Sequence, residues 1–164
     1  MNINLKHCTT EENKRTLENL QQLYLHDLSE FASDLQIDMS GRFENDDIRH
    51  YFEKISLIPM LIRSEEAIVG FLLLNKPPYT PPNADYYIND IFICRNMRKK
   101  GIALKALKRL FEEFQGRYAL VELKKNQNAV DFWHHTFNKL DIKFEETEMV
   151  EDGHDCLLQY FNID

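Results

Sequence analysis

The stretch Asp90–Phe114, DIFICRNMRKKGIALKALKRLFEEF, constrains the fold more than any other part of the chain. Ile91, Phe92 and Ile93 stand in a row, which predicts a short buried strand. From Ile102 the period turns helical, with Leu104, Leu107, Leu110, Phe111 and Phe114 on three- and four-residue steps. Between the two lies Arg98-Lys99-Lys100-Gly101-Ile102-Ala103. A strand feeding a helix through such a loop aims free backbone N–H groups at one point. Those groups and the helix dipole favour an anion, a phosphate above all. Gly101 lets a ligand approach the backbone, and Ala103 is too small to block it.

The rest of the chain supplies a sheet for this unit. Asn4–Cys8 reads as a first strand. Thr10 with Glu11 and Glu12 starts a helix, whose apolar stripe runs through Leu17, Leu20, Leu23, Tyr24, Leu28 and Phe31. Asp46–Ser56 reads as a second, short helix capped by Asp46 or Asn45. Pro59–Arg63 and Ala67–Leu74 form two antiparallel strands joined at Ser64-Glu65-Glu66, the second apolar enough to lie centrally. Asn75–Asp85 holds four of the five prolines, so it is an extended loop. It is either a plain connection, a rim of an acceptor pocket or a dimer contact. Tyr86–Cys94 is the next strand, and Gly116 closes the long helix as a C-cap. A strand over Arg117–Leu123 and a helix over Asn126–Phe137 follow. A closing hairpin, Lys143–Val150 and Cys156–Phe161, turns at Asp152-Gly153. The order is β-α-α-β-β-β-α-β-α-β-β, with no internal repeat and no linker, and it predicts one α/β domain over residues 1–164.

Charge separates along the chain although the net value is −7. Asp27, Glu30, Asp34, Asp38, Glu44, Asp46 and Asp47 face one base, Arg42. Arg95, Arg98, Lys99, Lys100, Lys105, Lys108 and Arg109 include no acid between them. The pattern suits one anionic ligand and one cationic ligand, or, for the acids, a solvated face. The net charge argues against general nucleic-acid binding. No apolar run reaches the roughly 18 residues of a membrane span, and the N-terminus has no signal-peptide core. Cys8, Cys94 and Cys156 fit no metal or redox spacing, which favours a reducing cytoplasm. His134-His135 point about 100° apart on a helix and bring no second ligand set, so no metal is expected.

The segment Arg98, Gly101, Ala103 resembles the R/Q-x-x-G-x-G/A acyl-CoA motif of the GNAT superfamily of N-acetyltransferases. A second motif of that family, N-x-x-A-x-x-F-Y, is matched by Asn126, Ala129 and Phe132, with Trp133 where tyrosine is common. The resemblance implies a central mixed sheet of about seven strands with four helices on both faces. It implies acetyl-CoA as cofactor, with CoA as product, in a gap where the fourth strand splays from the fifth. The backbone of Ile91, Phe92 and Ile93 would pair with the pantetheine arm, and an N–H near Ile93 would polarise the thioester carbonyl. The amides of Arg98, Lys99, Lys100, Gly101, Ile102 and Ala103 would hold the pyrophosphate. Arg95, Lys99 or Lys100 would meet the outer phosphates. Asn126, Phe132 and Trp133 would line the thiol end.

The implied reaction is direct attack of a primary amine, small or peptide, on the thioester in a ternary complex, with positioning as the main device. The acidic Asp27–Asp47 segment points to a cationic acceptor. Trp133 has no acidic proton for the leaving thiolate, which leaves solvent or Tyr160. Asn89-Asp90 stands where relatives carry Glu-Asp, so the first acid is missing. Asn89 can position a water, whereas Asp90 and Glu122 are the carboxylates that can accept a proton. Strand alternation sets Asp90 on the opposite face from Asn89; its other reading is a structural cap. For Glu122 the other reading is a surface strand residue. These departures motivate the alternative of an acyl-CoA-binding module with weak chemistry. A homodimer is compatible with the family.

Overall fold

The computed structural model describes residues 1–44, 47–65 and 67–164. The elements are β1 Ile3–His7, α1 Glu11–Leu28, α2 Asp47–His50, β2 Leu57–Ser64, β3 Ala67–Asn75, β4 Tyr86–Ile93, a 3-10 turn Arg95–Met97, α3 Ile102–Glu113, β5 Gly116–Leu123, α4 Gln127–Lys139, β6 Phe144–Glu151 and β7 His154–Ile163. The predicted order is the observed one. The seven strands form one mixed sheet in the order β1-β2-β3-β4-β5-β7-β6. Every neighbouring pair is antiparallel except β4 and β5. Among the described residues no helix is long and apolar enough to cross a membrane.

Local chemistry accounts for the elements. Thr10 caps α1 by accepting from the Asn13 N–H at 3.1 Å. The face α1 buries carries Leu17 and Leu25, and it packs on Phe71, Leu73 and Phe92 beside Ile48 and Tyr51. On the other side of the sheet α3 buries Ile102, Ala106, Leu107, Leu110 and Phe111, and α4 buries Val130, Trp133 and Phe137. Both meet Ile88, Tyr118, Leu120 and Phe161. Tyr118 and Phe161 stack with centroids 5.3 Å apart, with Phe111 edge-on to each.

Two expectations are corrected. The second helix has one turn, Asp47–His50, where Asp46–Ser56 was expected. Its proposed caps, Asn45 and Asp46, lie outside the described residues. Tyr51 still buries, but Ile55 is fully in solvent, so the apolar spacing there served a turn. Gly116 does not cap α3, which ends at Phe114 with φ −124°. It is the first residue of β5 at φ +151°, where a Cβ would lie 2.8 Å from Asp85 Oδ2. Glycine is needed there for close approach rather than for a helix end. The proline loop is a braced connection: Asp85 N–H donates to Arg117 O, Arg117 N–H to Asp85 Oδ2, and Tyr160 OH to Pro82 O.

Candidate active site

The parallel strands β4 and β5 pair only at Tyr86–Tyr118, Tyr87–Ala119 and Ile88–Leu120. Beyond Ile88 the two strands part, while β5 stays paired to β7 as far as Leu123–Cys156. One cause is visible in β4. Leu73 opposes Asp90, but Leu74 opposes Ile88, so Asn89 is an inserted residue that bends the strand. The bulge also cancels one cycle of alternation. Asn89 and Asp90 therefore reach the same side, contrary to the sequence expectation, and the Asn89 amide donates to Asp90 Oδ2 at 3.0 Å.

The edge of β4 on this gap has defined polarity. The Cys94 N–H donates to Val69 O at 2.8 Å. Antiparallel alternation then directs the amide of Phe92 at β3, and those of Ile91 and Ile93 at the gap. Phe92 thus turns its backbone away from the position expected of it. Its ring packs with Phe71 and Tyr24. The Ile93 carbonyl is taken by Arg98 Nε at 2.8 Å, leaving the Ile91 amide and the Ile93 N–H at the gap.

At the end of β4 the loop turns into α3. Lys99 (φ +60°) and Gly101 (φ +73°) are both left-handed. This curls the chain so that successive N–H groups face one side. The Arg98 N–H is taken by Arg95 O at 3.2 Å. The amides of Lys99, Lys100, Gly101, Ile102 and Ala103 have no acceptor among the described residues. Nothing lies within 4 Å of where a Gly101 Cβ would stand, so the concavity is open. The arrangement fits a pyrophosphate. The side chain of Arg98, by contrast, is not free for phosphate: it bonds Ile93 O and Asp27, and Arg95 bonds Asp27 as well. Lys99 and Lys100 are exposed.

On the α1 side of the gap sits a polar cluster that the sequence does not reveal. Asp90, half-buried at the lip of β4, accepts the Asn89 amide, and Tyr24 and Gln21 of α1 stand close enough to draw on its carboxyl. Burial is the largest influence and holds its carboxyl above the ordinary range against those three groups, with Asp47 pushing the same way. Asp90 bears in turn on Tyr24, Tyr51 and Tyr87. Tyr51 donates to Asn75 Oδ1. Gln21 is the one clue in the sequence, a polar residue on the buried stripe of α1 between Leu17 and Leu25.

Glu122 lies on the other face, with Leu120, beneath α4. It is only 7% exposed, which rules out the surface reading. Neither carboxyl oxygen receives a well-formed hydrogen bond among the described residues. Burial, then the nearby Glu146, push its pKa up to about 8 against the pull of Gln159. Glu146 itself bonds His134 and Gln159, each at 2.6 Å. Asn126 caps α4 through the Ala129 N–H at 3.2 Å, Trp133 is buried between Phe132 and Phe137, and Phe132 is half-buried. Tyr160 is held at the opposite end of β5 by Arg117 and Pro82, away from the gap.

The acidic segment is less free than its composition suggests. Asp27 is paired with Arg95 and Arg98, and Asp34 with His154 at 2.8 Å. Asp38 folds its own turn, accepting from Ser40 and the Arg42 N–H.

Comparison with known proteins agrees with this geometry. A search of curated proteins found no match. Among solved structures, the chain is similar to RimL, a ribosomal L7/L12 alpha-N-protein acetyltransferase in complex with coenzyme A (16% identity, TM-score 0.66, 99% of this chain and 94% of that one). It is similar to an acetyltransferase from Thermus thermophilus (12%, 0.65, 98% and 96%). It also resembles yncA from Salmonella typhimurium, solved with its cofactor acetyl-CoA (13%, 0.65, 100% and 95%). At these identities the likeness is one of fold. The family model for the acetyltransferase (GNAT) family matches residues 17–137, most of the chain and all of the gap, the loop and the α1 cluster just described: this chain belongs to the GNAT acetyltransferase family, whose cofactor is acetyl-CoA.

Proposed function

We propose that residues 1–164 act as one domain, an N-acetyltransferase that moves an acetyl group from acetyl-CoA to a cationic primary amine by direct attack in a ternary complex. The observation that carries this is the parting of β4 from β5 after Ile88, with free amides on one side of the opening and Asp90 on the other. Acetyl-CoA supplies the acyl group already activated as a thioester. The Ile91 amide and the Ile93 N–H bind in the gap in the manner of a strand edge, and an N–H there polarises the acyl carbonyl. The amides from Lys99 to Ala103 hold the pyrophosphate, with Lys99 and Lys100 for further phosphate charge. The free amide group of Asn126 and the rim of Phe132 line the inner end.

The acceptor reaches the gap from the α1 side. An alkylammonium has a pKa of about 10.4, so its neutral form costs roughly 4.6 kcal/mol at neutral pH. Asp90 is the base that removes the proton. Asn89 fixes its carboxylate, Tyr24 and Gln21 lie beside it, and burial brings its proton affinity nearer to the task. Asn89 holds Asp90 rather than replacing it. Glu122 faces α4, is closed to solvent and takes no part in this step.

Calorimetric titration with acetyl-CoA tests the cofactor site, on the wild type and on Gly101→Glu, with circular dichroism to verify the fold. A Cβ at Gly101 would meet no protein atom within 4 Å, so the glutamate brings bulk and negative charge onto the pyrophosphate position, with some backbone strain at φ +73°. The expected outcome is micromolar binding in the wild type and none in the variant. Equal binding in both would remove this loop from the site. Binding without acetylation of any amine in a broad panel would favour the second reading, a binding module with little chemistry, which the buried Trp133 and the missing carboxylate at Asn89 support.

A further inference from the structure

The buried stripe of α1 carries one residue that packing does not account for. Leu17, Gln21 and Leu25 follow at four-residue steps and all three are buried. Leu17 belongs to the apolar cluster of Phe71, Leu73 and Phe92. Gln21, only 4% exposed, brings an amide into the same stripe, and its Oε1 has no donor among the described residues. A buried acceptor without a donor is unfavourable, and methionine or leucine would fill that place without the penalty.

Contacts on either side fix where Gln21 stands. Asp27, near the C-terminal end of α1, pairs with Arg95 and Arg98 just past the end of β4, so the helix runs along β4 in the same direction. One turn earlier Tyr24 lies edge-on to Phe71 and Phe92, with centroids 5.8 and 6.3 Å away. Phe71 and Phe92 oppose each other across β3 and β4, and the next pair on that face is Leu73 and Asp90. Three residues back from Tyr24 is about 4.5 Å along a helix. Two residues back from Phe92 is about 6.6 Å along a strand. Both steps lead to the same place, with Gln21 over Asp90, and the Asp90 carboxyl responds to it there.

We infer that Gln21 determines acceptor specificity: its Oε1 takes the second N–H of the attacking amine, so the site accepts primary amines and rejects secondary amines and alcohols. This rests on the N-acetyltransferase reading and deepens it. The primary ammonium gives one proton to Asp90 and so frees the lone pair that attacks the thioester. Two N–H groups remain, one facing Asp90 and one on Gln21 Oε1. The C–N bond forms and the C–S bond breaks. The proton facing Asp90 leaves by way of solvent as the sulfur takes one up. The last N–H, that of the amide product, stays on Gln21. A secondary ammonium that has given its proton to Asp90 keeps one N–H, which must also be lost, and it turns a carbon to Gln21 Oε1. An alcohol has a single donor from the start.

The test compares n-butylamine with N-methylbutylamine, which share charge and chain and differ by one N–H, together with a panel of similarly matched pairs. Acetylation by the full chain is followed through release of the CoA thiol. In the wild type, kcat/KM for the primary member should be higher by at least about tenfold, which corresponds to about 1.4 kcal/mol. Gln21→Met fills the same space without the acceptor, and the ratio should fall by about tenfold because the primary amine loses more. A purely structural role would slow both members alike and leave the ratio where it was. Gln21→Leu serves in the same way should Gln21→Met not fold. Equal kcat/KM in the wild type, or a ratio unchanged by the substitution, overturns the inference while the acetyltransferase reading stands. No acetylation of any amine, primary or secondary, overturns that reading and the inference with it.

Discussion

Asp27 and Arg98, 71 residues apart, are joined by an ion pair of 2.5 Å. Arg98 also bonds the last carbonyl of β4 and lies over the Phe92 ring, 5.6 Å from its centroid. Arg95 reaches the same carboxylate at 2.8 Å. The C-terminal turn of α1 is thereby fastened to the loop proposed to hold the cofactor's pyrophosphate. The side chain of Arg98 is spent on the protein, and the unpaired amides of that loop are those of its neighbours.

Replacing Asp27 by Asn should therefore weaken a site it does not touch. Burial alone would raise the Asp27 pKa, but Arg98 and Arg95 outweigh burial and hold it below the ordinary carboxylate value. The stability it adds is present above the unfolded-state pKa and is lost as pH falls through the depressed folded one. With the charge gone, the loop loses its anchor, and acetyl-CoA affinity should drop by about tenfold, or about 1.4 kcal/mol. Calorimetry on the variant checks this, and an unchanged Kd would show that the loop keeps its shape unaided.

Asp90→Asn should lower kcat by about two to four orders of magnitude, the usual contribution of a general base, with acetyl-CoA binding intact. The pH profile is the sharper readout. Asp90 must be ionised to act, and its pKa is raised. The wild-type rate should fall on the acid side at a pH above the ordinary range of an aspartate, and this limb should vanish from the residual rate of the variant. A limb that persists in the variant would assign the titration to another group.

Glu122→Gln should stabilise the fold, increasingly so as pH rises. The folded pKa of about 8 lies above the ordinary value of 4.5. Between the two, the unfolded chain releases a proton that the folded one retains, so wild-type stability declines with rising pH and levels off above about 8. Each pH unit in that window costs roughly 1.4 kcal/mol at most. Glutamine fills the same space without ionising. Urea denaturation of both proteins near pH 4 and near pH 8.5, on either side of the window, measures the difference; parallel curves would mean that Glu122 is solvated in solution.

Gly70→Ala should damage both fold and site. Gly70 lies opposite Ile93 in β3, and an added Cβ would fall 1.9 Å from the Phe92 carbonyl oxygen. That oxygen belongs to backbone, so β4 itself must shift. A loss of about 1–3 kcal/mol in stability together with weaker acetyl-CoA binding is expected from denaturation and calorimetry. A stability within about 0.5 kcal/mol of wild type, the usual scatter of an innocuous surface change, would mean that the strands relax freely.

The strand-loop-helix unit at Asp90–Phe114 was legible because one stretch carries both periods and its own punctuation. The order of elements followed from similar local signals. The site was legible only in part. Asn89 and Asp90 read as alternating because the bulge that brings them together is a property of the pairing with Leu73 and Leu74, and two strands are needed to see it. Tyr24, Tyr51 and Tyr87 each pass for ordinary apolar positions until three elements converge. Arg95 passed for a ligand of the outer phosphates because its partner Asp27 lies far away in α1. Gly70 gave no signal, since its neighbour across the sheet is known only from the fold.

The brevity of the β4–β5 contact has a mechanical consequence. Strands β1 to β4 and strands β5 to β7 are two slabs joined along a seam of three residue pairs at one end, with the Asp34–His154 link as a strap across the acceptor side. A ligand lying along the open part of that seam works as a staple. Its grip should register as a rise in melting temperature and as slowed hydrogen exchange at Ile91 and Ile93, well before any chemistry takes place.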